Sequence, residues 1–168
     1  MSVENPSQEE IFEILRSNKT IAVIGMSKNP EKDANSVPAY LIEKGYNVIP
    51  VNPTADEILG RKSYKRLSDI PVEIDIVDVF RPSDDIPNYV DEVIAKKPKV
   101  FWLQLGIRND EASKKVAEKG IVTIQDRCIL QEHKKLERSS RYPERKRTSS
   151  PYFMQFMMSL LSAQALLA

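Results

Sequence analysis

Short apolar runs alternate with longer amphipathic stretches along this chain, and the two periods predict its elements. Residues 7–17 place Ile11, Ile14 and Leu15 on one stripe, the spacing of a helix that buries a single face. Residues 20–25 form an apolar run of strand length. Residues 36–44 read as a helix, with Asn35 or Ser36 as N-cap. Pro38 then falls in the first turn, where its missing N–H costs little, and Gly45 supplies a stop. Further strands are expected at 46–51, 73–80, 99–103 and 121–124. Helices are expected at 84–97, with Ile86, Val90, Val93 and Ile94 buried and Pro87 tolerated early, at 110–119 and at 126–138.

Strands this apolar are buried on both faces, which points to a parallel sheet covered by helices. The regular alternation predicts an α/β fold: a doubly wound, mainly parallel five-stranded sheet with helices on both faces. This domain spans 1–138, and the remainder, 139–168, changes character. RSSRYPERKRTSS is basic, serine-rich and aperiodic, and reads as disordered. PYFMQFMMSLLSAQALLA is apolar and Met-rich, but too short and too interrupted by Gln to span a membrane. Two readings of this tail stand: a segment that docks on a partner or a membrane surface, and a dispensable extension.

Charge narrows the function classes. The chain has 168 residues with 25 Lys and Arg against 24 Asp and Glu, a net charge of +1 that gives no case for nucleic acid. A single cysteine excludes an internal disulfide and suits a reducing compartment. The start, MSVENPSQEE, is polar and acidic and is not a secretory signal. The expectation is a cytoplasmic protein without a transmembrane segment. A homo-oligomer is compatible with the sequence, but no motif fixes its order.

In a doubly wound sheet, ligands bind beyond the carboxyl ends of the strands, where the strand order reverses. The residues to inspect are therefore Gly25-Met26-Ser27, Val51-Asn52-Pro53, Phe80-Arg81-Pro82 and Gln104-Leu105-Gly106. Gly25 permits a sharp turn and close approach of a ligand to the backbone. Ser27 offers a hydroxyl and an N–H, Lys28 and Lys32 add mobile positive charge, and the helix start at Asn35-Ser36 suits a pyrophosphate. The competing reading of one glycine after a strand is an ordinary turn. At the second strand end an NAD site carries an acid that holds the ribose hydroxyls. Here stands neutral Asn52, which spares a phosphorylated ribose from repulsion, as in NADP or coenzyme A. Arg61, Lys62, Lys65 and Arg66 follow and would meet the extra phosphate, unless they are simply solvated. Arg81 would fork onto phosphate, or else bond Asp84 or Asp85, while Phe80 would pack along an adenine or a pantetheine arm. Gly106 permits close approach, Asn109 begins the next helix, and Trp102 reads as core.

The segments IAVIGMSKNPEKDANSV, GYNVIPVNP, EILGRKSY, DIVDVFRPSDDIP, VFWLQLGIRNDEA and DRCILQEH occur in this order. Together they resemble the stand-alone CoA-binding proteins. These are relatives of the N-terminal CoA-binding domain of the succinyl-CoA synthetase alpha subunit and of ADP-forming acyl-CoA synthetases. The likeness covers roughly residues 8–138. It implies a Rossmann-like domain that binds coenzyme A. By that analogy Gly25, Met26 and Ser27 hold the pyrophosphate, with Ser36 and Val37 at the helix start. Val51, Asn52 and Pro53 cradle the adenosine, and Phe80, Arg81, Leu105, Gly106 and Asn109 line the path of the pantetheine arm.

No catalytic centre and no metal cluster can be placed. The one histidine, His133, follows Glu132 on the closing helix and reads as a surface or packing residue. In the synthetase relatives the phosphorylated histidine belongs to a further domain. Cys128 reads as a small buried hydrophobe, the sharper alternative being a mixed disulfide with the CoA thiol. The leading reading is a module that binds CoA or an acyl-CoA without catalysis. An NADP-dependent reductase shares the neutral Asn52 but lacks the fuller glycine rhythm, and an interaction protein would use the tail.

Overall fold

Five strands form a parallel sheet through the centre of the protein, seen in a computed structural model that describes residues 3–140 and 158–161. The strands are β1 (Thr20–Ile24), β2 (Asn47–Val51), β5 (Ile76–Val79), β6 (Val100–Leu103) and β7 (Val122–Ile124), in the order β2-β1-β5-β6-β7. All four pairings are parallel, so the chain is an α/β Rossmann-like fold. Two short strands that the apolar pattern did not predict, β3 (Glu57–Ile58) and β4 (Arg61–Lys62), form a separate antiparallel hairpin. Its turn residues Leu59 and Gly60 have φ of 52° and 73°, the left-handed pair that a two-residue hairpin turn needs.

Among residues 3–140, five α-helices surround the sheet: α1 (Gln8–Ser17), α2 (Asp33–Glu43), α3 (Val90–Lys96), α4 (Asp110–Ala117) and α5 (Ile129–Ser140). One core layer joins Leu15 of α1, Leu41 of α2 and Ile129 of α5 to Val23 and Trp102 of the sheet. The other joins Val93 of α3 and Val116 of α4 to Ala22, Val77 and Phe101. Helices therefore cover both faces, as the continuous apolar strands require. Ser7 begins α1 with a capping box, its side chain accepting from Glu10 N–H while the Glu10 carboxylate accepts from Ser7 N–H. Pro50 lies within β2, an edge strand where its missing N–H leaves no ladder bond unmade.

Several boundaries differ from the sequence expectation, each for a local reason. Helix α2 begins at Asp33 rather than 36, with Lys32 as an N-cap that makes no side-chain bond. Asn35 is not the cap; its amide reaches back to the Ser27 carbonyl at 2.8 Å. Pro38 consequently lies inside the helix, where it cannot bond the Ala34 carbonyl. That carbonyl instead accepts the Ser27 N–H at 3.0 Å. The expected helix at 84–97 is split into a 3-10 segment, Ser83–Tyr89, containing Pro87, and α3. The closing helix starts at Ile129 rather than 126, because Asp126 has φ of 55° and belongs to a turn. The expectations for the tail fall outside the described residues, apart from Ser139 and Ser140 in α5 and residues 158–161.

Candidate functional site

The chain leaves β1 through α2 to β2 on one side, then returns to β5 on the other. The sheet therefore parts at the carboxyl end of β1, and Gly25 stands at that point. Its N–H donates to Val51 O at 3.1 Å, and its φ is 81°. A Cβ there would lie 2.5 Å from Phe80 O and 3.0 Å from Arg81 Cδ. The glycine is thus demanded by the close approach of the β5 end, whatever ligand lies above it. Met26 is fully buried in the core, and its carbonyl accepts the Asn52 amide at 2.9 Å. Asn52 Oδ1 in turn accepts the Thr54 N–H at 2.8 Å. An aspartate could not donate to Met26, so the neutral side chain also has a structural reason.

Ser27 has its N–H committed to Ala34 and its hydroxyl to the Asn29 N–H at 3.0 Å. Lys28, Ser36 and Pro53 are exposed, whereas Val37 is buried against the core. Ser36 N–H bonds Lys32 O, so the free donors of the first helical turn lie earlier, at Asp33 and Ala34.

A cavity of about 470 Å³ opens beside this point. Its apolar wall comes from Ile24, Val51 and Leu67, and its polar wall sets Lys65 and Arg66 beside Asp91 and Glu92, with Asn88 and Tyr89. That volume falls within the range of small-molecule sites. Among the described residues, neither the Lys65 nor the Arg66 side chain has a bonded partner. Arg61 and Lys62, their companions in the sequence reading, are occupied elsewhere. Arg61 bonds Asn47 Oδ1 at 3.2 Å, and Lys62 lies over the Tyr64 ring. Leu67, Asn88 and Tyr89 were not foreseen, because nothing in local periodicity brings 67 beside 89.

At the end of β5, Phe80 is half-buried against the core, and Arg81 forms an ion pair with Asp85 at 2.6 Å. Asp85 first, and Tyr89 to a smaller extent, raise the pKa of the Arg81 guanidinium, which links this strand end to the cavity. At the end of β6, Leu105 is 61% exposed. Gly106 has φ of 81°, and its N–H donates to Asp126 Oδ1 at 2.7 Å. Asn109 caps α4 by accepting the Ala112 N–H and donates its amide to Ser83 O, so its side chain is structurally engaged. Trp102 is fully buried and donates its indole N–H to Arg127 O at 2.8 Å.

Cys128 is half-buried and packs against the core. His133 is a packing residue: it lies between Tyr40 and Tyr46, its Nδ1 is 2.8 Å from the Tyr40 hydroxyl, and burial lowers its pKa. Among the described residues, no group of His, Cys, Asp and Glu could hold a metal, and no helix is long and apolar enough to cross a membrane.

Comparison with known proteins places this geometry among relatives. The model of a CoA binding domain matches residues 19–134. The uncharacterised protein YneT of Bacillus subtilis strain 168 is 44% identical over 131 residues, 78% of this chain and 97% of that protein. A solved structure of a hypothetical protein from Pyrococcus horikoshii OT3 is 44% identical with a TM-score of 0.76, covering 82% of this chain and 99% of that one. The alpha subunit of ADP-forming acetate–CoA ligase I from Pyrococcus furiosus is 37% identical over 95 residues, which are 53% of this chain and 21% of the subunit.

Proposed function

We propose that this chain, which belongs to the CoA binding domain family, binds coenzyme A or an acyl-CoA across the carboxyl ends of β1, β2, β5 and β6. The observation that carries the reading is the cavity beside Gly25. It joins an apolar wall of Ile24 and Val51 to two cations, Lys65 and Arg66, that form no ion pair, although Asp91 and Glu92 line the same cavity. An adenosine with a phosphorylated ribose needs this combination: a flat apolar contact and unspent positive charge. Tyr89 adds an aromatic ring to the same wall.

The diphosphate then crosses the turn at Gly25, Met26, Ser27 and Lys28. Ser27 contributes through its surroundings rather than its own N–H, and the Asp33 and Ala34 amides replace Ser36 and Val37 as helix-start donors. Val51, Asn52 and Pro53 border the adenosine. The pantetheine arm passes Phe80 and Arg81 toward Leu105 and Gly106, whose exposed apolar side chain and bare backbone suit an uncharged chain. Asn109 shapes that end of the crevice by capping α4.

Calorimetry with CoA, dephospho-CoA, NADP and NAD tests the reading. CoA should bind, and removal of its ribose phosphate should weaken binding about tenfold or more, the loss of one or two charge-assisted bonds. A preference for NADP over CoA would replace the reading with a reductase-type domain.

A further inference from the structure

The two cations of the cavity stand on a short bridge of chain between two anchors. On one side Tyr64 is tied to the edge of the sheet: its N–H donates to Pro50 O at 3.0 Å, and its carbonyl accepts the Asn52 N–H at 2.9 Å. On the other side the chain enters a 3-10 turn, Leu67–Asp69, and Leu67 and the following Ile70 are buried. Lys65 and Arg66, between the anchors, are exposed.

A 3-10 turn leaves its first N–H groups without acceptors of its own. Asp69 N–H bonds Arg66 O at 3.1 Å and Ile70 N–H bonds Leu67 O at 3.2 Å, but Ser68 N–H finds no acceptor within the turn. Arg66 holds the capping position and makes no side-chain cap bond. The acceptor comes instead from α3. Glu92 Oε1 takes the Ser68 N–H at 2.9 Å and the Ser68 hydroxyl at 3.0 Å. One helical turn further along α3, Lys96 Nζ donates to the Ile70 carbonyl at the other end of the 3-10 turn. Glu92 and Lys96 have the i, i+4 spacing of an ion pair, yet each bonds the 3-10 turn rather than the other.

We propose that Glu92 is a positioning residue for the ribose phosphate of coenzyme A: it caps the 3-10 turn from α3 and so holds Lys65 and Arg66 at the cavity. This role rests on CoA being the ligand. Charge and position act in opposite directions here. Glu92 lines the same cavity as the two cations, so its carboxylate repels an incoming phosphate, and removing that charge alone would tighten CoA binding. Removing the cap bond frees the segment that carries the cations, and binding must then restore its order, which lowers affinity.

Calorimetry on full-length Glu92→Gln and Glu92→Ala with CoA and dephospho-CoA separates the two effects. Glu92→Gln keeps an acceptor oxygen without the charge, and should bind CoA within about twofold of wild type or more tightly. Glu92→Ala loses both, and should bind CoA about fivefold more weakly than Glu92→Gln, the worth of about one hydrogen bond. That gap should vanish with dephospho-CoA. Equal CoA affinity in the two variants, or the same gap with dephospho-CoA, would overturn the role of Glu92 while leaving CoA as the ligand. A wild-type protein that binds no CoA would overturn both. Hydrogen exchange on the ligand-free proteins reads the cap itself. Ser68 N–H should lose protection in Glu92→Ala and keep it in Glu92→Gln, with Val116 in α4 the same in all three. Unchanged protection of Ser68 in Glu92→Ala would overturn the cap.

Discussion

The two ends of the sheet are built on opposite terms. At the amino end the strand starts are laced together. Asn47 N–H bonds Lys19 O, Asp75 N–H bonds Thr20 O, Lys99 and Val100 N–H both bond Asp75 O, and Val122 N–H bonds Lys99 O. The Asp75 carboxylate adds the N–H groups of Lys19 and Thr20 at 3.1 Å each and the Lys99 ammonium at 3.2 Å. Charge there is consumed by the fold. At the carboxyl end Lys28, Lys32, Lys65 and Arg66 have no bonded side-chain partner among the described residues, and Leu105 stands in solvent. The same chain that satisfies its polar groups at one end leaves cations and apolar surface uncommitted at the other. A ligand with separated anionic and apolar parts would complete that second end.

Four experiments break or sharpen this contrast. The largest effect is expected at Gly25, where the carboxyl end is nevertheless tightly built. Gly25→Val places a Cβ against Phe80 O in a left-handed backbone and should destabilise by about 3 kcal/mol or more, measured by denaturant unfolding. A variant of wild-type stability would show that the β1 and β5 ends are not in contact. Next is Asp75→Ala at the laced end, which should cost about 1 kcal/mol by removing two hydrogen bonds to exposed and half-buried N–H groups, yet leave CoA affinity unchanged in the folded protein. Weakened affinity at constant fold would erase the distinction between the ends.

Lys65→Ala and Arg66→Ala should do the reverse. Each should weaken CoA binding about tenfold, with stability within about 0.5 kcal/mol of wild type. Neither should alter the affinity for dephospho-CoA, and an equal loss for both ligands would move the ribose phosphate elsewhere. The smallest effect is expected from ending the chain after Ser140, the last residue of α5. CoA affinity should stay within about twofold of the full chain. A larger drop would bring the tail into the binding site.

The sheet was legible because its strands are short continuous apolar runs, and IAVI, NVIPV, IVDV and VFWL all appear where the runs predict. The start of α2 was not, because its Lys32 N-cap makes no side-chain bond and Asn35 looks like a cap while bonding Ser27. Residues 83–89 carry a helical apolar spacing, but a 3-10 turn shares much of it, and only Pro87 hinted at the difference. The β3–β4 hairpin escaped because two-residue strands have no period to detect. Of the candidate site, the glycine turn and the exposed Lys65-Arg66 pair were proposed from strand ends and charge, and the structure sets both beside the cavity. The roles of Asn52 and Asn109 as hydrogen-bond staples could not be read in this way, since their partners lie 26 positions away at Met26 and Ser83. The cavity wall at Tyr89 is likewise a product of packing between distant segments.

Amide chemical-shift mapping of the full-length protein titrated with CoA tests the central contrast most directly. Perturbations are expected at Ile24 to Lys28, Val51, Lys65 to Ser68 and Tyr89, with the Lys19, Asp75 and Lys99 amides unmoved. Shifts concentrated at that laced amino end, or none at saturating CoA, would contradict the account.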